Sequence, residues 1–241
     1  MPQCPIYRQY ETTNSTSPTR VPCDAVTNRT IPMTDELVDY VHRWGVREHP
    51  VLAKLREDTA TMPERSMQIG PDQGAFMALL VRLSGARRIL EIGTFTGYSS
   101  TAMALALPAG GRITCCDVSR EWTDRARQAW ADAGVADRVD LHLGPAAATL
   151  ERLDSGSHDL AFIDADKPGY DTYYEECLRI VRPGGLILLD NTLQGGRVAD
   201  PIQQDESVVA IRALNEKIAG DERVEMVLLP FADGLTLARI R

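Results

Sequence analysis

A chain of 241 residues, 44% of them hydrophobic, can bury a full core as one large domain, and its length admits two at most. A formal charge of −8 and an isoelectric point near 5.1 argue against a basic face for nucleic acid or an anionic membrane, and leave small neutral or cationic ligands as the better match. No apolar run approaches the length of a membrane span, and residues 1–30 lack the apolar centre of a secretory signal, so a cytoplasmic location is expected.

The five cysteines, Cys4, Cys23, Cys115, Cys116 and Cys177, suit neither a disulfide framework nor a zinc site, and reduced thiols are expected. Residues 1–30 place Pro2, Pro5, Pro18 and Pro22 among Thr, Ser and Asn, which reads as a disordered arm or one that orders on a partner chain. A single domain is expected over 31–241. Thr34 is a plausible cap for an amphipathic helix with Leu37, Val38, Val41 and Trp44 on one face, and a second helix is expected from Val51 to Ala60. These two helices are expected to cover a substrate site or a dimer seam. Pro71 opens a third, with Phe76, Leu79, Leu80 and Leu83 as its buried face.

The next stretch organises the chain. Ile89 to Ile92 is an apolar run too short for a helix, Gly93 and Gly97 frame a tight turn, and Thr101 to Leu107 is helical in composition. The spacing Gly-x-x-x-Gly differs from the Gly-x-Gly-x-x-Gly of dinucleotide enzymes, which favours a ligand without a pyrophosphate. Strand and helix then alternate: Arg112–Cys116 and Arg120–Ala133, Val139–Leu143 and Pro145–Leu153, Leu160–Ile163 and Gly169–Val181, Leu186–Leu189 and Ile202–Ala219. That rhythm predicts an α/β fold, a doubly wound parallel sheet with helices on both faces. Val224–Leu229 and Leu235–Ile240, joined by a short link, must run antiparallel.

Ligands in such a sheet collect beyond the carboxyl ends of the strands. Glu91, Asp117, Gly144, Asp164 and Asp190 lie there. Asp117, 26 positions after Glu91, is placed to accept hydrogen bonds from ribose hydroxyls. Asp164, Asp166, Asp190 and Asn191 bring hard oxygen donors together, which suits Mg²⁺, or Mn²⁺ and Ca²⁺, rather than zinc. The acids would repel each other unless a cation or Lys167 sat among them. His42, His49, His142 and His158 show no ligand spacing.

Met67-Gln-Ile-Gly-Pro-Asp-Gln-Gly74, Glu91-Ile-Gly-Thr-Phe-Thr-Gly-Tyr-Ser99, Asp164-Ala-Asp-Lys167, Asp190-Asn191 and Asp233-Gly-Leu-Thr-Leu-Ala238 together resemble the cation-dependent O-methyltransferases of the caffeoyl-CoA and catechol type, from about residue 34 to the end. The resemblance implies a class I methyltransferase (Rossmann-like) fold of seven strands, one antiparallel within the sheet, S-adenosylmethionine as cofactor, and a homodimer. It implies Glu91, Gly93 and Thr94 at the methionine and ribose region, Ser99 at the carboxylate end, Asp117 at the ribose and Ala146 at the adenine. Met67 and Ile69 fall at the sulfonium side and Asp166 at the amino group, with Asp164 beside the cofactor. Asp164, Asp190 and Asn191 are the implied metal ligands and Lys167 the general base. One departure is Gly144-Pro145-Ala146, where many members have Gly-Asp-Ala, so a side-chain contact to adenine is missing.

The expected reaction is methyl transfer to one hydroxyl of a vicinal dihydroxy aromatic, a small phenolic substrate. An acyl-CoA ester is the alternative, and Arg43, Arg47, Lys54, Arg56, Arg65 and Arg197 are the basic residues that could receive it. A non-catalytic cofactor-binding protein and a nicotinamide-dependent oxidoreductase are further alternatives. Acceptor choice is expected on 43–62 and on 192–205, where Gly195, Gly196 and Pro201 suggest a shaped, mobile loop.

Overall fold

In the computed structural model, which describes residues 30–241, Thr34 caps helix α1 (Asp35–Gly45) by accepting from Leu37 N at 3.4 Å. The arm expected at 1–30 lies outside the described residues but for Thr30, as do Cys4 and Cys23. Pro50 and Pro71 open α2 (Pro50–Thr59) and α3 (Pro71–Ser84) in the first turn, where the missing N–H has no intrahelical partner to lose. No residue of α1 is buried, and Tyr40 and Trp44 are 63% and 68% exposed.

Strand β1 (Arg88–Ile92) is buried on both faces after Arg88, as a central parallel strand must be. Helix α4 (Tyr98–Ala106) follows, then β2 (Arg112–Asp117), α5 (Arg120–Asp132), β3 (Val139–Leu143), α6 (Ala146–Leu150), β4 (His158–Ile163), α7 (Tyr170–Ile180), β5 (Val181–Leu189), α8 (Glu206–Ala219), β6 (Val224–Leu229) and β7 (Leu235–Ile240). The sheet has seven strands in the order β3-β2-β1-β4-β5-β7-β6. β7 runs antiparallel to both β5 and β6, and the remaining neighbours are parallel. The chain steps from β1 to β2 on one side and later to β4 on the other, which opens a crevice above the ends of β1 and β4.

Alternate strand residues feed two cores. Ile89, Ile113, Phe162 and Leu188 pack with α2 to α5, while Leu90, Ile92, Ile163 and Leu189 pack with α6 to α8. Four boundaries or faces differ most from expectation. On α3 the buried stripe is Gln73, Gly74, Met77 and Val81, whereas Leu79 and Leu83 are 51% and 73% exposed. The helix is turned so that Gly74 meets Tyr98 of α4, where a Cβ would come within 2.8 Å of the ring. α6 is shorter than expected, β5 begins at Val181 rather than Leu186, and α8 begins at Glu206, leaving Ile202 82% exposed in a turn whose amide is held by Asp200 Oδ1 at 3.0 Å.

Candidate functional site

The strand ends open onto a cavity of about 810 Å³. At one end lies the glycine turn. Gly93, Phe95 and Gly97 have φ of 92°, 51° and 87°, a left-handed path that glycine takes without strain. Gly97 also lets the turn touch α5, since a Cβ there would lie 2.6 Å from Ala126 Cβ. Asp117 at the end of β2 holds the turn: Oδ2 accepts from Thr94 N at 2.9 Å and Phe95 N at 2.8 Å, and Oδ1 from Ser119 N at 2.7 Å. Phe95 and Trp122 stack edge to face at 5.2 Å near Gly144, Pro145 and Ala146.

Of the residues expected at the cofactor, Met67, Ile69, Gly93, Thr94, Ser99, Asp117, Ala146, Asp164 and Asp166 line this cavity. Glu91 does not. Its side chain points from β1 into the apolar layer beside Cys115 and Phe162, fully buried, with Oε1 accepting from Ser99 Oγ at 2.6 Å and Oε2 unpartnered. Burial pushes its carboxyl up to about 7, against the pull of the Ser99 hydrogen bond. Glu91 therefore reaches the cavity only through Ser99. Cys116 lines the cavity but is inert as a nucleophile, because burial pushes its thiol up to about 12.

At the other end, β4 and β5 deliver Asp164 and Asp190, whose amides donate to Ile92 O at 2.8 Å and Ile163 O at 3.0 Å. Asp190 is buried, with Oδ2 accepting from Gln73 Nε2 at 2.8 Å and Oδ1 from Asn191 N at 2.8 Å. Burial raises both carboxyls above the usual range; the Asp164 charge adds to the rise at Asp190, and Lys167 opposes it at both. Lys167 Nζ donates to Asp164 Oδ1 at 3.1 Å and Tyr170 OH at 2.7 Å. Asp166 is turned away toward Tyr173 OH, which donates at 2.7 Å, and Gly169 N.

Asp164, Asp190, Asn191 and Lys167 share the cavity. No group of three or more His, Cys, Asp or Glu suited to a metal occurs among the described residues; the oxygen donors gathered here are Asp164, Asp190 and the carboxamide of Asn191. The buried carboxylate of Asp190 and the half-buried one of Asp164 against one lysine leave negative charge in excess when ionised, and the donors are hard oxygens; the set fits a divalent cation. The four histidines serve locally instead: His49 caps α2, His42 and His142 pair with Asp72 and Asp140, and His158 is buried in β4.

The two ends meet at Gly93. A Cβ there would lie 1.8 Å from Asp164 O, so the turn and the β4 end touch only because residue 93 is glycine. Gln73, Tyr170, Tyr173 and Trp122 were not singled out from sequence; only Gln73, inside the Met67–Gly74 motif, carried a signal.

The helices before β1 reach the site as well. Thr59 Oγ1 donates to Thr96 Oγ1 at 3.0 Å, and Tyr98 OH to Glu48 Oε1 at 2.6 Å. Of the basic residues that could receive a CoA ester, Arg56 is held by Glu48, Lys54 by Asp58, and Arg197 by Gln194 and Asp205. The 192–205 loop, expected to be mobile, is braced by Arg212 of α8, which donates to Val198 O, Asp200 O and Gln203 O.

A family model described as O-methyltransferase matches residues 42–241. The chain is 43% identical over 220 residues to a probable caffeoyl-CoA O-methyltransferase 2 of Dictyostelium discoideum, covering 89% of this chain and 90% of that protein. It is 41% identical over 211 residues to catechol O-methyltransferase domain-containing protein 1 of Mus musculus, covering 86% and 80%. The solved O-methyltransferase from Bacillus cereus in complex with SAH superposes with a TM-score of 0.79 at 34% identity, over 84% of this chain and 96% of that one. The glycine turn, the strand-end acids and the inserted β7 thus sit in a recognised frame, and the chain belongs to the O-methyltransferase family.

Proposed function

We propose that this protein transfers a methyl group from S-adenosylmethionine to one hydroxyl of a vicinal dihydroxy aromatic, with Mg²⁺, or Mn²⁺ or Ca²⁺, held by Asp164, Asp190 and Asn191. The observation that carries the reading is a cavity with a glycine turn and Asp117 at one end and, at the other, the buried carboxylate of Asp190 and the half-buried one of Asp164 beside one lysine. The SAH of the Bacillus cereus relative and the names of the Dictyostelium and mouse relatives support the cofactor and the acceptor class. A nicotinamide oxidoreductase is set aside by the family assignment.

Bound there, S-adenosylmethionine would supply an electrophilic methyl group, and the cation a charge that favours the ionised hydroxyl. The chain's own groups do the rest. Asp117, its geometry fixed by the turn amides, would face the ribose; Ala146 and Trp122 would bound the adenine; Met67 and Ile69 would lie on the sulfonium side; Asp166, oriented by Tyr173, would take the amino group. Lys167, aimed by Asp164 and Tyr170, would take the proton from the acceptor hydroxyl as the neutral amine, its own proton having first passed to solvent. Fixed placement of the reacting atoms supplies most of the acceleration.

A small catechol is favoured over a CoA ester because the lining carries Asp117, Asp164, Asp166, Asp190 and Asp233 against Lys167 alone, and three of the six candidate basic residues are committed to acids. Arg65, exposed beside the lining residue Ser66, supports the CoA ester as the second reading. The exposed apolar residues Leu79, Leu83 and Val227 support the homodimer, and a cytoplasmic location belongs to the same reading. The test is transfer from labelled S-adenosylmethionine to catechols, catecholic acids and caffeoyl-CoA, each with Mg²⁺ and with EDTA. Cation-dependent transfer to a free catechol is the expected result; transfer unaffected by EDTA would overturn the metal role, and preference for caffeoyl-CoA would replace the first acceptor by the second.

A further inference from the structure

Gln73 is the polar member of the otherwise apolar stripe that α3 turns to the core, and it is 1% exposed. Burying a carboxamide costs free energy unless its polar atoms find partners. Its partner is an acid of the cation set: Gln73 Nε2 donates to Asp190 Oδ2 at 2.8 Å. The other carboxylate oxygen, Asp190 Oδ1, accepts from Asn191 N at 2.8 Å, so one donor comes from the acid's own loop and one from α3. A donor on each oxygen fixes the plane of the carboxylate, and with about four acceptor positions on a carboxylate each oxygen keeps a lone pair for a further partner. Gln73, Asp164, Asp190 and Asn191 all line the cavity.

The helix that carries the amide is seated independently of the cation residues. Gly74 lies against Tyr98 of α4, where a Cβ would come within 2.8 Å of the ring, and Tyr98 OH is itself held by Glu48. Met77 and Val81, one and two turns on, are fully buried and hold the same face to the core. The two acids are also supported differently. Lys167 beside Asp164 offsets one negative charge, whereas a neutral amide beside Asp190 orients the acid and leaves its charge in place.

We propose that Gln73 is a positioning residue for the cation: from α3 it holds the Asp190 carboxylate ready for the ion that Asp164, Asp190 and Asn191 would bind. The inference rests on the reading of those three residues as the cation site.

The experiment measures Mn²⁺ affinity by calorimetry, S-adenosylmethionine affinity separately and melting temperature, in the full chain and in Gln73→Met, Gln73→Asn and Met77→Ala. Gln73→Met keeps the length of the side chain and removes the donor. Loss of a group that orients a metal ligand typically weakens metal binding by roughly ten- to hundredfold, and that loss is expected here. Gln73→Asn withdraws the amide by one methylene; it should show the same loss, and it stands in if Gln73→Met does not fold. Met77→Ala loosens the same helix face from outside the cavity lining, so its melting temperature should fall while Mn²⁺ affinity stays within about twofold of the parent. S-adenosylmethionine affinity should stay within about twofold in all three. Unchanged or raised Mn²⁺ affinity in a folded Gln73 variant, in a parent that binds Mn²⁺, overturns the role of Gln73 alone. An equal Mn²⁺ loss in Met77→Ala, or an equal loss of S-adenosylmethionine affinity in the Gln73 variants, also overturns it, because helix packing then accounts for the effect. A parent that binds no Mn²⁺ overturns the cation site and this inference with it.

Discussion

At the β1–β2 end of the cavity the acid is answered by the protein itself: Asp117 takes three main-chain amides. At the β4–β5 end the donors are fewer for the acids present, since Asp164 and Asp190 have between them one lysine, one glutamine amide and the Asn191 main-chain amide, and burial raises both carboxyls. The first end is complete as folded and offers shape and backbone dipoles. The second carries unbalanced charge and stores an affinity for a cation. Substitutions at the first should therefore move stability and cofactor binding, and substitutions at the second should move chemistry.

The sharpest test of that division is Asp164→Ala. It removes a cation donor and the partner of Lys167, contacts worth several kcal/mol to a charged transition state, so turnover should fall roughly a thousandfold or more. Because a buried acid is removed, the melting temperature should hold or rise; a variant that is unfolded by circular dichroism would erase the contrast. At the other end, Gly97→Ala forces a Cβ onto Ala126 at φ 87°. Its expected cost is about 2 kcal/mol, a drop of roughly 4–8 °C in melting temperature, with cofactor affinity falling alongside.

Glu91 gives a pH signature. Its folded carboxyl is raised from 4.5 to about 7, so the folded state binds more protons than the unfolded state between those values. Stability is then greatest below about pH 4.5, declines as pH rises through 7, and stays lowered above; the ceiling for this group is about 3 kcal/mol. Glu91→Gln should flatten that slope in melting curves taken from pH 5 to 8, and an unchanged slope would show that the carboxyl is ionised throughout. His158 acts oppositely: burial and Arg88 hold it down to about 4, so its contribution is lost as pH falls below 6.5. The smallest effect is expected from Ser99→Ala, because its hydroxyl is already committed to Glu91. Cofactor affinity by calorimetry should change less than about tenfold, a larger loss placing that hydroxyl on the cofactor instead.

The same two ends differ in how far the sequence exposes them. β3, β6 and β7 were bounded by their apolar runs and turns alone, and the strand-end acids followed from topology, since a parallel sheet delivers its carboxyl ends to one edge. The Asp164 and Asp190 pairing is short-range in that sense. Gln73 lies 117 positions from the Asp190 it contacts, and nothing local announces such a bond. Glu91 reads as a site acid by position, yet β-strand alternation sends it to the apolar face, which only the register against Cys115 and Phe162 reveals. On α3 both faces are apolar, so the periodicity offered two answers and the fit of Gly74 to Tyr98 decided between them.

The contact at Gly93 has a consequence for how this scaffold can change. Ile92 pairs in register with Ile163, and the next residues, Gly93 and Asp164, meet main chain to main chain. The span a migrating group must cross is thus a property of two adjacent strands and no side chain can lengthen it. Changes to the other lining residues alter the shape of the cavity, while the spacing of its two ends stays set by the paired strands, so new acceptors can be sought on this protein without touching that spacing.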